Sequence, residues 1–266
     1  MRGAEAAAAE EEEEEDSLEQ AMGFMFDSSH ARVCASFTPA GCLAPIRLRM
    51  IKGDPGHVQS GQYLWPAAQY AAGWLLSRRS VEPWLGVADT RVVELGAGCG
   101  LAGLALSQLE SVTTVILTDY DYGSIELLQE NIAEARNLPH AAQKTLLVEK
   151  LKWGPGPALP PATVSALAGA GALLVVGTDL IYSQDVVLPL LQTVRLLLQR
   201  GGADDATTAR SRHRFVLFSS FDISAYDAEV TKVCGELGLE KQELETLDET
   251  ALPKRSRVQV FISAQV

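Results

Sequence analysis

The sequence has few cysteines and no long apolar run, and both features exclude classes of protein. Its four cysteines form no CxxC pair, and its four histidines show no metal-ligand spacing, so we expect neither a metal site nor a disulfide framework. No stretch approaches the roughly 20 consecutive apolar residues that span a bilayer. The N-terminus lacks the basic and apolar segments of a secretory signal, and its acidity argues against a mitochondrial presequence. We therefore predict a protein of the reducing cytoplasm with no membrane association.

Basic residues are also scarce. The chain has 22 Lys and Arg against 34 Asp and Glu, a net charge of −12. Residues 1–16 carry −7 of that charge, which leaves the body mildly acidic and argues against a nucleic-acid partner. A run of glutamates repels itself and has no apolar face to bury, so residues 1–20 are predicted to be a disordered acidic tail. A partner-binding arm is the alternative.

Apolar strands alternate with helices after residue 90. The predicted strands are 91–95, 113–118, 144–149, 172–178, 215–220, 241–246 and 257–266. Four helices are predicted between these strands, at 100–109, 122–137, 186–198 and 225–237. The inner strands are nearly continuous apolar runs, as expected when helices cover both faces of a sheet. This pattern predicts an α/β fold with a doubly wound, seven-stranded, mostly parallel sheet of the Rossmann-like type.

Three segments depart from this alternation of strands and helices. Ten residues without helical patterning separate the last two strands, too few for a parallel crossover, so the last strand should be antiparallel. Residues 154–161 contain four prolines and are predicted to be a loop. Segment 21–60 contains two strand patterns and is predicted to be an N-terminal extension packed on the main domain, 61–266. Its strands either extend the sheet or cover the cleft. A helix is predicted from Pro66.

The most informative stretch is the turn after the first strand of the sheet, which we call the glycine turn, residues 96–100. Gly96, Gly98 and Gly100 occupy alternate positions between an apolar strand and a helix. Glycine allows positive φ and close approach of a ligand, and the helix N-terminus offers free N–H groups. Glu94, two residues earlier, adds negative charge that suits a ligand with a positive end. A tight turn without any ligand is the alternative.

Two adenosine cofactors fit this turn. A dinucleotide site requires G-x-G-x-x-G, which fails from Gly96 because position 101 is leucine, and is met only three residues late, from Gly98. Asp119, at the end of the second strand, is placed to accept hydrogen bonds from ribose hydroxyls. Since both dinucleotide and S-adenosylmethionine folds share that acid, it indicates adenosine without choosing between them. The positive end of S-adenosylmethionine suits Glu94.

Four segments together resemble the seven-β-strand S-adenosylmethionine-dependent methyltransferases. They resemble in particular the methyltransferase-like family sixteen, the branch that methylates lysines of non-histone proteins. The segments are Gly61-Gln62-Tyr63-Leu64-Trp65-Pro66, Glu94–Gly100, Leu151-Lys152-Trp153-Gly154 and Asp179-Leu180-Ile181-Tyr182. The branch commonly has Asp where this chain has Lys152, so the chain departs from the pattern of the branch in that loop.

The resemblance implies a role for each site residue. At the methionine end of the cofactor, Trp65 would close over the ligand and Thr178 would contribute backbone, while the backbone of Gly96, Ala97 and Gly98 would pass beneath it. At the adenosine end, Asp119 would hold the ribose and Trp153 would flank the adenine. Asp179 and Tyr182 would form a D-x-x-Y motif beside the methyl group. The alternatives are that the tryptophans are core aromatics, that Tyr182 points to water and that Asp179 caps a helix.

The predicted activity is methyl transfer from S-adenosylmethionine to a lysine of a non-histone protein, with Asp179 orienting the amine and Tyr182 closing an aromatic wall. The resemblance implies an elongation factor or a chaperone as the substrate, and we expect a monomer. Three alternatives stay open. These are a methyltransferase for histidine or a small molecule, an inactive cofactor-binding module that acts through partners, and a nicotinamide oxidoreductase.

Overall fold

The computed structural model describes residues 32–52, 60–156, 158–169, 171–200, 213–244 and 256–263. The predicted acidic tail and the first part of segment 21–60 lie outside these residues. None of the helices in the described ranges is long and apolar enough to cross a membrane.

The centre of the molecule is a sheet of seven strands. They are β3 (Thr90–Leu95), β4 (Val112–Asp119), β5 (Thr145–Lys150), β6 (Ala172–Thr178), β7 (Arg214–Ser219), β8 (Leu239–Leu244) and β9 (Arg257–Ser263). Their order across the sheet is β5-β4-β3-β6-β7-β9-β8. The pairs from β5 to β7 are parallel, whereas β9 runs antiparallel to both β7 and β8. The predicted doubly wound sheet with an antiparallel last strand is confirmed.

Six α-helices accompany the strands in the described residues. They are α1 (Pro66–Ser77), α2 (Leu101–Leu106), α3 (Tyr122–Ala135), α4 (Pro161–Leu167), α5 (Val187–Arg200) and α6 (Asp227–Leu237). Five match predicted helices within a few residues. Helix α4 was not predicted, and it begins at the last proline of the predicted loop. Proline is well suited to the first helical position, because its missing N–H would have no helical partner there.

Successive residues of the inner strands pack into two separate cores, one on each face of the sheet. Val92 of β3 packs with α1, α2 and α3, whereas Val93, the next residue, packs with α5 and α6. The same alternation holds for Leu173 and Leu174 of β6. This arrangement explains the continuous apolar runs, since a strand covered by helices on both faces needs apolar residues at every position.

Strands β1 (Arg32–Phe37) and β2 (Ile46–Ile51) form a separate antiparallel hairpin. Neither strand joins the seven-stranded sheet, so the alternative in which they extend it is wrong. Ile46 and Leu48 of β2 are buried in the core that contains α2 and α3. The arginines on the opposite side of the hairpin pair with glutamates of α3. The hairpin is therefore held on α3 by an apolar face and an ionic rim.

Candidate functional site

The glycine turn lies at the carboxyl edge of the sheet, where β3 ends. Gly96, Gly98 and Gly100 all have positive φ, at 53°, 55° and 79°. A Cβ on Gly98 would lie 2.4 Å from the carbonyl oxygen of Gly61, so a larger residue does not fit. The backbone N–H of Ala97 donates to the carbonyl of Thr118 at the end of β4, at 2.8 Å. The alternating glycines therefore allow a tight turn that is tied to the neighbouring strand.

Glu94 is wholly buried behind this turn, with 0% of its surface exposed. Its Oε2 accepts a hydrogen bond from the backbone N–H of Gly103 in α2 at 2.7 Å, and its Oε1 has no partner among the described residues. Burial raises the pKa of Glu94 to about 8. The side chain thus connects β3 to α2 inside the protein and favours the neutral form at pH 7. The predicted role of Glu94 beside a ligand stays a prediction.

Asp119 lies at the end of β4, next to the glycine turn, and is half-buried. Its Oδ2 accepts a hydrogen bond from the backbone N–H of Gly98 at 2.9 Å. Its Oδ1 accepts from the N–H groups of Tyr120 and Asp121. Burial raises the pKa of Asp119, and these three hydrogen bonds oppose that shift. The carboxylate is held in one orientation, and Oδ2 keeps a lone pair for a further donor.

Trp153 follows β5, and its ring lies beside the first glycine of the turn. A Cβ on Gly96 would lie 3.2 Å from Trp153 Cζ2 and 2.7 Å from Leu180 Cδ2. Thr178 is buried at the end of β6. Trp65 precedes α1, is half-buried, and its ring meets the ring of Tyr63 edge-on with centroids 5.7 Å apart. The fold thus places Trp153 and Thr178 at the strand ends that surround the glycine turn.

Asp179 follows β6 and links three elements of the same edge. Its Oδ2 accepts hydrogen bonds from Ser220 Oγ at 2.7 Å and from the N–H of Ala67 in α1 at 3.3 Å. Its Oδ1 accepts from the N–H of Ser220 at 2.7 Å. The residue is 8% exposed and has φ of 57°, a region that non-glycine residues rarely adopt. Burial raises the pKa of Asp179, and its three hydrogen bonds oppose that shift.

Tyr182 differs from the other predicted site residues because it is 65% exposed. Its backbone carbonyl accepts a hydrogen bond from the hydroxyl of Tyr226 at 3.1 Å, which ties the loop after β6 to the start of α6. The ring therefore lies at the surface. Its assignment as the aromatic wall of the site stays a prediction.

The structure brings most predicted site residues to one edge of the sheet. The ends of β3, β4 and β6 carry the glycine turn, Asp119, Thr178 and Asp179, and Trp153 lies against the turn. Glu94 faces the protein interior instead. Ser220 was not predicted as a site residue, because the sequence pattern assigned it to the predicted strand 215–220. A serine directly after a buried strand at this edge was the available signal.

The sequence is similar to known protein-lysine methyltransferases. The family model described as lysine methyltransferase matches residues 47–215. The protein-lysine N-methyltransferase EEF2KMT of Mus musculus is 28% identical over 173 residues, which are 61% of this chain and 48% of that protein. The protein N-lysine methyltransferase METTL21A of Danio rerio is 36% identical over 107 residues, which are 40% of this chain and 44% of that protein. The chain thus spans about half the length of the curated relatives it matches.

Solved structures of low sequence identity also match the chain. The methyltransferase domain of bacterial CtHen1-C has a TM-score of 0.47 at 14% identity and covers 76% of this chain and 100% of that one. A putative S-adenosyl-L-methionine-dependent methyltransferase of Methanococcus maripaludis has the same TM-score at 12% identity, with coverage of 76% and 88%.

Proposed function

The chain belongs to the lysine methyltransferase family, and on that premise we propose that it transfers methyl groups from S-adenosylmethionine to a lysine side chain of a non-histone protein. The observation that carries the proposal is the convergence of the glycine turn, Asp119 and Asp179 at one edge of the sheet. In an α/β sheet of this type, ligands bind in the crevice beyond the carboxyl ends of the strands.

Residues at this edge suit two parts of the cofactor, the ribose and the adenine. Asp119 is fixed by three backbone N–H groups and keeps a lone pair on Oδ2, as a ribose hydroxyl requires. The half-buried ring of Trp153 beside Gly96 offers a flat surface for adenine. We assign Gly96, Ala97 and Gly98 to the methionine end, together with Trp65 and the backbone of Thr178. Glu94 ties β3 to α2 behind this turn through the N–H of Gly103.

When bound, S-adenosylmethionine would supply a methyl carbon that a neutral amine attacks in line with the C–S bond, with the thioether S-adenosylhomocysteine as the leaving group. The protein must then hold the amine at near-attack distance, which by itself accounts for a large part of the rate. Asp179 is suited to orienting the amine, because its carboxylate is held rigidly by Ser220 and Ala67. We assign Tyr182 to the wall around the amine.

The substrate amine has to lose a proton before it reacts. A lysine with a pKa of about 10.4 is mostly protonated near pH 7.4, which costs roughly 4 kcal/mol. Burial of the amine and a nearby sulfonium both lower that pKa. A carboxylate alone favours the ammonium form, so we assign Asp179 to orientation rather than to proton removal.

Incubation of a proteome with the protein and methyl-labelled S-adenosylmethionine, followed by mass spectrometry, tests the proposal. We expect label on lysine, and we expect an Asp119→Ala variant to lose it because cofactor binding fails. Label on histidine or on small molecules would favour a different acceptor. Tight cofactor binding without any label would favour an inactive binding module, and absence of cofactor binding by calorimetry would overturn the proposal.

Three finer assignments are predictions, and of these only the substrate is implied by the resemblance. An elongation factor or a chaperone as the substrate stays a prediction, and so do the monomeric state and the cytoplasmic location. The labelled protein from the proteome experiment would identify the substrate directly.

A further inference from the structure

The glycine turn is also held from α3, through a residue that the proposed function does not use. Asn131 is 1% exposed. Its Nδ2 donates hydrogen bonds to the carbonyl of Cys99 in the turn at 2.9 Å and to the carbonyl of Arg49 in β2 at 3.0 Å. Its Oδ1 accepts from the N–H of Arg49 at 2.7 Å. One buried amide therefore connects the hairpin to the turn.

The hydrogen bond to Cys99 determines the orientation of one peptide unit in the turn. The carbonyl of Cys99 bonds to Asn131, and the N–H of Gly100 in the same peptide donates to the carbonyl of Ala97 at 2.7 Å. With both polar groups of this peptide engaged, rotation of its plane would break two hydrogen bonds inside the protein. Gly100, with φ of 79°, offers little steric resistance to such a rotation. The two hydrogen bonds therefore hold the peptide in its orientation.

The side-chain amide of Asn131 also holds the hairpin. Both polar backbone groups of Arg49 bond to the amide of Asn131, an arrangement that resembles one rung of a β ladder. A change in the position of β2 would therefore move the donor that holds Cys99. The hairpin and the turn are coupled through this side chain.

We propose that Asn131 is a positioning residue for the cofactor, which makes the β1–β2 hairpin a functional part of the S-adenosylmethionine site. This inference rests on the proposed function, because it takes the glycine turn as the place where the cofactor binds. Asn131 acts through the carbonyl of Cys99 and not by touching the ligand.

Gln108 provides a matched control, because it holds the same hairpin at its connecting loop. It is 2% exposed. Its Oε1 accepts from the N–H groups of Leu43 and Ala44 at 2.6 and 3.1 Å, and its Nε2 donates to the carbonyl of Ala44 at 2.9 Å. These three hydrogen bonds are of the same kind as those of Asn131, but none of them is to the glycine turn.

The test compares Asn131→Asp with Gln108→Glu in the full chain. Each change keeps an accepting oxygen for the hairpin N–H groups and replaces the amide donor by an oxygen. We expect the Kd for S-adenosylhomocysteine, measured by calorimetry, to rise about tenfold in Asn131→Asp and less than about twofold in Gln108→Glu. The KM for S-adenosylmethionine should follow that Kd, while kcat at saturating cofactor and the KM for the protein substrate stay within about twofold of wild type.

Hydrogen exchange of the wild type tests the same coupling and does not depend on whether a variant folds. Since coupling between two sites is reciprocal, S-adenosylhomocysteine should slow amide exchange in residues 46–51 of β2 as well as in the glycine turn. Protection of the turn alone would overturn the inference. Equal Kd values for wild type and a folded Asn131→Asp would also overturn it, and so would equal losses in both variants. A wild type that binds no cofactor would instead overturn the proposed function.

Discussion

The carboxylate of Asp179 holds Ser220 by two of its polar groups at once. Oδ1 accepts the backbone N–H of Ser220, and Oδ2 accepts its hydroxyl, each at 2.7 Å. The same Oδ2 accepts the N–H of Ala67. Asp179 achieves this with φ of 57°, and such conformations persist where the surroundings enforce them, often at functional sites. One side chain thus joins the ends of β6 and β7 to the start of α1.

We expect Asp179→Gly to lower kcat about 100-fold, because the amine loses the group that orients it. Cofactor affinity should change less than about threefold. Glycine accepts the positive φ, whereas Asp179→Ala should lose a further 1–2 kcal/mol or so of unfolding free energy through backbone strain. Steady-state kinetics, cofactor calorimetry and thermal unfolding measure the three effects. Full turnover in a folded Asp179→Gly variant that binds cofactor would exclude the orienting role.

The raised pKa of Glu94 makes stability depend on pH. Folding holds a proton on Glu94 up to about pH 8, whereas the unfolded chain releases it near pH 4.5, so the free energy of unfolding falls as pH rises between these values. Glu94→Gln has no proton to lose and keeps an acceptor for Gly103. Between pH 5 and 7.5, we expect the free energy of unfolding of this variant to rise by roughly 3 kcal/mol relative to that of the wild type, as measured by denaturant unfolding at each pH. If the free energies of unfolding of the wild type and of Glu94→Gln changed in parallel with pH, Glu94 would not be protonated in the folded protein.

The close approach of Gly98 and Gly61 predicts an unequal response to alanine. In Gly98→Ala, the new Cβ would lie 2.4 Å from the carbonyl oxygen of Gly61 at a positive φ, so we expect a loss of about 2 kcal/mol or more and weaker cofactor binding. Gly235→Ala in α6 is the control, because its Cβ meets no atom within 4 Å. It should gain about 0.5–1 kcal/mol through helix propensity. Equal effects in thermal unfolding would contradict the geometry of the turn.

The ionic rim of the hairpin should contribute little. Glu130 of α3 pairs with Arg32 at 2.9 Å and with Arg49 at 3.3 Å, but these side chains are 40–49% exposed, so solvent screens the pairs. We expect Glu130→Gln to lower the free energy of unfolding by less than about 1 kcal/mol and to leave the Kd for S-adenosylhomocysteine unchanged. A large loss of cofactor affinity in this variant would show that the ion pairs, rather than Asn131, hold the hairpin in register.

Local patterns predicted the elements of the sheet well where burial was complete. Strand β6 has the predicted bounds, 172–178, because a run rich in leucine and valine begins directly after Gly171 and ends before Asp179. The antiparallel direction of β9 followed from the short connection before it. Helix α4 was missed because two adjacent prolines suggested a loop, although the second one lies at the first helical position.

The sequence by itself determined the succession of the sheet strands along the chain, the glycine turn and the acid at the end of β4, since these depend on short-range periodicity and on residue types that few backbones accept. The fold decided which side chains meet. Glu94 faces inward to α2, Ser220 meets Asp179 from a strand 41 positions away, and Asn131 joins β2 to the turn. Such hydrogen bonds depend on how distant segments pack, and a pattern of neighbouring residues carries no record of that packing.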